Sequence, residues 1–179
     1  MNGFEFLFSF YSLLLGLAVA NVATGFADIW RGRRETVVGT ATTLLGLLIL
    51  FSAAQQWMSC WGARDVLTMG PWQILAVIAI ALPLVFISRA MLPREEDVWS
   101  SWDDYYIAHR RVLLTVLLIS PLVSISYNFA QGNIPDRWGV LYRAVQLGVP
   151  LLLILWQTRI VQRIGLVAMT INIIARLFA

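Results

Sequence analysis

The sequence predicts an all-α fold, a multipass transmembrane helical bundle of about six spans with five as the alternative, in a single domain over residues 1–179. Three observations carry this expectation. Apolar residues make up 59% of the chain and charged residues only 13%, against about 25% charged in soluble proteins, so no soluble domain fits. Stretches of about 20 mostly apolar residues, the length that crosses a hydrocarbon core of about 30 Å, follow one another with short gaps. The 13 basic residues, every one an arginine, gather mainly in those gaps. Backbone surrounded by lipid must satisfy its own hydrogen bonds, which apolar segments of this length do as helices.

The first span is expected over residues 5–30, closing at Arg31, Arg33 and Arg34. Ala18-Val19-Ala20 imitates a signal-peptide cleavage site, but no basic region precedes it and the apolar pattern runs past it to Trp30, so the segment reads as a retained span. Ser12, Gly16, Ala20 and Thr24 recur every four residues, a stripe of small side chains that lets another backbone come close. A helix of the same chain is the expected partner, with a neighbouring protein's helix as the alternative.

Spans two and three are expected over residues 37–59 and 72–92, followed by a hydrophilic cytoplasmic interval over 93–111. Ser101 and Asp104 have the spacing of a capping box, so a helix starts there and runs directly into span four, residues 112–130. Spans five and six, residues 140–156 and 160–178, are joined by little more than Gln157-Thr158-Arg159. If Arg159 and Arg163 lay instead within one long helix the count would fall to five, at the cost of unpaired arginines in mid-bilayer. Pro83, Pro121 and Pro150 fall inside spans three, four and five, where each removes a backbone hydrogen bond and bends its helix.

Six spans place Arg31, Arg33, Arg34, Arg89, Arg94, Arg110, Arg111, Arg159 and Arg163 on one side, nine against the four of Arg64, Arg137, Arg143 and Arg176. By the positive-inside rule the nine face the cytoplasm and both termini lie outside. Trp57, Trp61, Trp72 and Trp138 then fall at outer span ends and Trp30, Trp99, Trp102 and Trp156 at inner ones, as aromatic belts do. Arginine without lysine fits a GC-rich coding bias, so a bacterial inner membrane is the expected location. The net charge of +3 belongs to the loops, where it serves orientation and headgroup contact. The expected partners are the lipid bilayer and either further copies of the chain or another membrane protein, and not nucleic acid.

Little in the chain suggests catalysis. Asp28, on the same helical face as Asn21 and Thr24, lies about one turn from the arginine cluster and pairs locally with Arg31, and Arg89, Arg143, Arg163 and Arg176 sit near span ends where they can snorkel. Cys60 and His109 are the only cysteine and histidine, too few for a disulfide, a thiolate metal site or haem ligation. No nucleophile elbow, P-loop, dinucleotide fingerprint or metalloprotease motif is present. No catalytic, cofactor-binding or metal-binding residue is therefore expected.

Two constellations are candidates for function. In the cytoplasmic interval, Trp99, Trp102, Asp103, Asp104, Tyr105, Tyr106 and His109 fit an interfacial helix, a docking segment for a partner, or an acid/base site built on Asp103, Asp104 and His109. In the outer half of the bilayer, Ser52, Gln55, Gln56 and Ser59 share one face of span two, and Ser120, Ser124, Tyr127 and Gln131 one face of span four, with Asn172 of span six as a third wall. They either line a wet crevice or bond one another across a closed interface, and closure is the expected arrangement. The leading functional expectation is an accessory or scaffolding subunit acting through helix packing and the acidic-aromatic segment. The alternative is a small oligomeric channel or facilitator for uncharged or weakly charged solutes.

Overall fold

Six helices follow one another: α1 Gly3–Gly32, α2 Thr40–Gly62, α3 Pro71–Ala90, α4 Trp102–Ala130, α5 Arg137–Leu155 and α6 Arg159–Leu177. The computed structural model describes residues 3–32, 39–65, 67, 70–93, 99–133 and 135–178. Arg33, Arg34, Arg94, Glu95, Glu96, Asp97 and the expected start of the second span at Val37 lie outside the described residues. All six helices are long and apolar enough to cross a membrane.

Local sequence explains the helix limits. Pro71 opens α3 at a position where its missing N–H costs nothing. At α4 the Ser101 Oγ accepts from the Asp104 backbone N–H at 3.2 Å, the N-cap half of the capping box that its spacing predicts, and donates to the Asp104 carboxylate at 2.7 Å in place of the reciprocal backbone bond. Asp136 does the same for α5, its carboxylate accepting from the Gly139 N–H at 2.9 Å. Between α5 and α6 the chain is extended at Trp156 and resumes helix at Arg159, which removes the single long helix and with it the count of five. Asp28 and Arg31 meet at 3.4 Å on an exposed surface, the local pair that their spacing implies.

The helices close into a ring. Going round it, α1 packs on α2, α2 on α6, α6 on α5, α5 on α4, α4 on α3 and α3 back on α1, while α2 reaches across to touch α3 and α4 more lightly. Leu45, Leu48, Leu84, Leu113, Leu114 and Leu166 fill the middle of the ring, each almost wholly out of solvent. The outer surface is apolar as well, with Leu13, Leu75, Phe86, Val112, Leu151 and Ile164 all exposed. A helix apolar on every side is suited to hydrocarbon around it and not to water.

Which face of α1 turns inward differs from the expectation. Its buried residues are Leu7, Tyr11, Leu15, Ala18, Val22 and Ile29, a stripe at helical spacing whose larger side chains fill the gap against α2 and α3. Gly16, Ala20 and Thr24 point outward, a Cβ on Gly16 would meet nothing within 4 Å, and the Thr24 hydroxyl donates to its own helix at Ala20. Only Ser12 touches another helix, accepting from the Trp57 indole N–H at 2.9 Å. The partner within the same chain expected for this stripe is thus not there. Area decides it, since burying the bulky face removes more apolar surface from solvent than burying glycine and alanine. The close approach occurs elsewhere, at Gly165 of α6, where an added Cβ would fall 2.5 Å from the Leu153 side chain of α5.

Candidate functional site

At one end of the ring the acidic-aromatic segment is tied into the fold. Asp103 is only 4% exposed. Its carboxylate accepts from the backbone N–H groups of Ala41 at 2.9 Å and Thr42 at 3.2 Å, and from Arg163 at 3.1 Å. Ala41 and Thr42 are the second and third residues of α2, whose own N-cap is Gly39 with no side chain to offer. Asp103 therefore caps α2 from another helix, satisfying donors that every helix start leaves free. Thr42 returns a bond from its hydroxyl to the Trp102 carbonyl at 3.0 Å. Gly39 has to be glycine for this to work, since a Cβ there would lie 1.9 Å from the Asp103 carboxylate.

The neighbouring residues follow the same pattern. Asp104 accepts from Ser100, Ser101 and Arg159. Tyr105 donates to the Ala90 carbonyl of α3 at 3.0 Å, and the buried Tyr106 donates to Gln162 of α6 at 2.7 Å. His109 stacks on Tyr105 with ring centres 4.3 Å apart, beside Trp99, and its Nδ1 lies 3.0 Å from the Tyr105 carbonyl. Among the described residues no hydrogen bond joins His109 to Asp103 or Asp104, so the acid/base arrangement is not assembled. Asp103 and Tyr106 are buried and spend their polar groups on α2 and α6, while Trp99, Trp102, Asp104 and Tyr105 stay half-buried and His109 exposed. The reason was invisible in the segment itself: the partners are backbone amides 60 residues away and a glutamine in the last helix.

At the opposite end the ring opens into a cavity of about 360 Å³. Gln55, Gln56, Ser59, Ser120, Ser124 and Tyr127, all from the two polar stripes, line it. Ser52 borders a smaller space of about 30 Å³ just below, floored by Leu48, Leu84, Leu117, Met169 and Ile173. The stripes face each other without bonding. Gln55 donates along its own helix to Ser59 at 2.8 Å, Gln56 accepts from Tyr11 of α1 at 3.0 Å, and Ser120 donates to the Ile80 carbonyl of α3 at 2.7 Å. The last bond falls beside the Ala79 carbonyl, which the missing N–H of Pro83 leaves without its helical donor. No hydrogen bond links the α2 stripe to the α4 stripe among the described residues, so the expected bonded closure is not made.

Two expected members are elsewhere. Gln131 is the C-cap of α4, beyond the last helical residue and just before the left-handed Gly132, so its helical face no longer applies. Asn172 donates to the Tyr142 carbonyl at 3.2 Å and joins α6 to α5. In their place α5 and α6 bring Tyr142, Arg143, Gln146 and Arg176 to the wall, together with Asp136 and Asn128. Arg143 was expected to snorkel outward. It turns into the cavity instead, and its Nη1 and the Tyr142 hydroxyl are shut off from solvent with no hydrogen-bond partner. The Arg143 guanidinium lies 6.0 Å from the Phe129 ring centre and that of Arg176 5.9 Å from that of Tyr142, aromatic faces standing where carboxylates otherwise would. Gly139, Arg143 and Gln146 at helical spacing were the only sequence hint of this face.

A neutral polar wall on α2 and α4 confronts two cations on α5 and α6, and no nucleophile with an attendant base is present among the described lining residues. Compared with known protein-family models, curated proteins and solved structures, the chain matches none.

Proposed function

We propose that this chain is a bacterial inner-membrane protein that takes up a small polar solute into an outward-facing vestibule, working as a compact facilitator or as the solute-binding subunit of a larger assembly. The open polar cavity carries this reading. Its volume falls at the lower end of the roughly 300–1,000 Å³ typical of small-molecule sites, and the Tyr142 hydroxyl and Arg143 nitrogen buried on its wall without a hydrogen-bond partner are costly unless water or a ligand meets them. The leucine and isoleucine floor closes the opposite end, which describes a one-sided pocket and not a continuous pore. The accessory reading loses Asp103 and Tyr106, which are buried within the fold, but keeps the half-buried Trp99, Trp102, Asp104 and Tyr105 and the exposed His109. It also keeps the outward stripe of Gly16, Ala20 and Thr24, which suits a second copy or another membrane helix.

Cysteine substitution tests the vestibule. In a Cys60→Ser background, Gln55→Cys, Ser59→Cys and Tyr127→Cys are expected to react with a membrane-impermeant thiol reagent added from outside, because a thiolate forms only where water reaches. Leu48→Cys and Leu117→Cys at the floor are expected to stay inert. Inert cysteines at all three upper positions, reacting only after denaturation, would leave a dry interface and remove the reading.

Orientation is a separate prediction from the nine-to-four arginine distribution. A reporter that matures only outside the cytoplasm is expected to be active after Gly62 or at Ala179 and silent after Arg34 or Asp97. The inverse pattern would open the cavity to the cytoplasm.

A further inference from the structure

We infer that the ligand of this cavity carries an oxyanion, a phosphate or carboxylate group, held between Arg143 and Arg176. The inference rests on the vestibule reading and adds the charge of its occupant, which the sequence suggested to be neutral or nearly so. Three independent observations support it. Arg143 and Arg176 line one cavity from adjacent helices, and among the described residues neither forms an ion pair. An Arg143 nitrogen and the adjacent Tyr142 hydroxyl are buried without a hydrogen-bond partner, two donors aimed at nothing the protein supplies. Among the described lining residues Asp136 is the one carboxylate, and its Oδ1 already accepts from the Gly139 N–H, so that lining keeps a net positive charge.

Guanidinium is suited to this task. Its planar fork matches a carboxylate or phosphate edge with two parallel N–H bonds, and a site poor in water strengthens each of them. The charge also runs against topology. Arg143 and Arg176 belong to the arginine-poor end, where a cation gains nothing from orientation, and the Arg143 nitrogen that is shut off from solvent costs free energy if it is left unpaired. An anion in the cavity removes that cost. The same group can arrive on a soluble acid or phosphate ester, or on the headgroup of an anionic lipid.

Protection of one cysteine distinguishes these. Ser124→Cys in the Cys60→Ser background is reconstituted in phosphatidylcholine nanodiscs and labelled with neutral N-ethylmaleimide. Inorganic phosphate or succinate is then added, at ionic strength matched with chloride, or phosphatidylglycerol replaces part of the lipid. The expected result is a saturable slowing of labelling, about tenfold at ten times the Kd. Slowing by phosphate or succinate identifies a soluble source, and slowing by phosphatidylglycerol alone a lipid one. Arg143→Met and Arg176→Met, the latter at an exposed position that leaves folding intact, should each abolish most of the protection. Asp136→Asn keeps the helix cap and removes the opposing charge, so protection should appear at a lower concentration of the same anion. Brisk labelling that no probe slows, or slowing unchanged in both arginine variants, overturns the anion and leaves the vestibule standing. A cysteine inert under every condition would overturn both.

Discussion

Replacing Asp103 by alanine is expected to lower the stability of the folded protein by about 2–4 kcal/mol, measured as unfolding in mild detergent against the unaltered chain. The carboxylate is 4% exposed and serves the Ala41 and Thr42 amides and Arg163 at once. Most of the loss comes from the two orphaned N–H groups, because the Arg163 side chain is 45% exposed and water can solvate it when its partner goes. Asp103→Asn keeps an acceptor for the amides and is expected to cost about 1 kcal/mol. Asp28→Ala, which removes only the exposed pair with Arg31, should cost less than about 0.5 kcal/mol. Equal stability of the Asp103→Ala and Asp28→Ala variants would show that the start of α2 is held by something other than this carboxylate.

Gln162→Leu is the second large effect, a loss of about 3 kcal/mol despite the near match in volume. Gln162 is wholly buried, and its amide donates to the Leu153 carbonyl at 2.6 Å and to that of Trp156, while its oxygen accepts from the Tyr106 hydroxyl at 2.7 Å. α5 ends at Leu155, so its last carbonyls lack partners within the helix, and this one side chain supplies donors to that end. Leucine leaves the Leu153 carbonyl and the Tyr106 hydroxyl buried and unmet, and the part-buried Trp156 carbonyl without its donor. Tyr106→Phe removes a single one of these bonds and should cost about 1 kcal/mol in the unaltered chain. In the Gln162→Leu background it should cost less or even stabilise, since the hydroxyl has then already lost its acceptor. A Tyr106→Phe penalty identical in both backgrounds would mean that the two side chains are not coupled, contrary to the geometry.

What was readable in the sequence is what short spacings control. The six apolar segments appear as helices with ends within a few residues of those expected, and α4 starts after Ser101 and runs directly into the fourth span, as the spacing of Ser101 and Asp104 predicts. The Asp28–Arg31 pair, the prolines inside α3, α4 and α5, and the break before Arg159 are likewise local, fixed by a turn or less of helix. Burial on α1 was misjudged because a small-residue stripe and a bulky apolar stripe run along the same helix. Only the shape of the gap between α2 and α3 selects between them.

The sequence by itself therefore determined the apolar segments, their lengths and their helical character, with six favoured over five, because each depends on composition over about 20 residues and on end signals within four. Tertiary structure alone decided where the polar groups went. Asp103 found the amides of α2, Gln162 the end of α5, and Arg143 the cavity and not the surface. Those choices turn on which backbone groups are left unsatisfied when the ring closes, a quantity that does not exist until the helices are side by side.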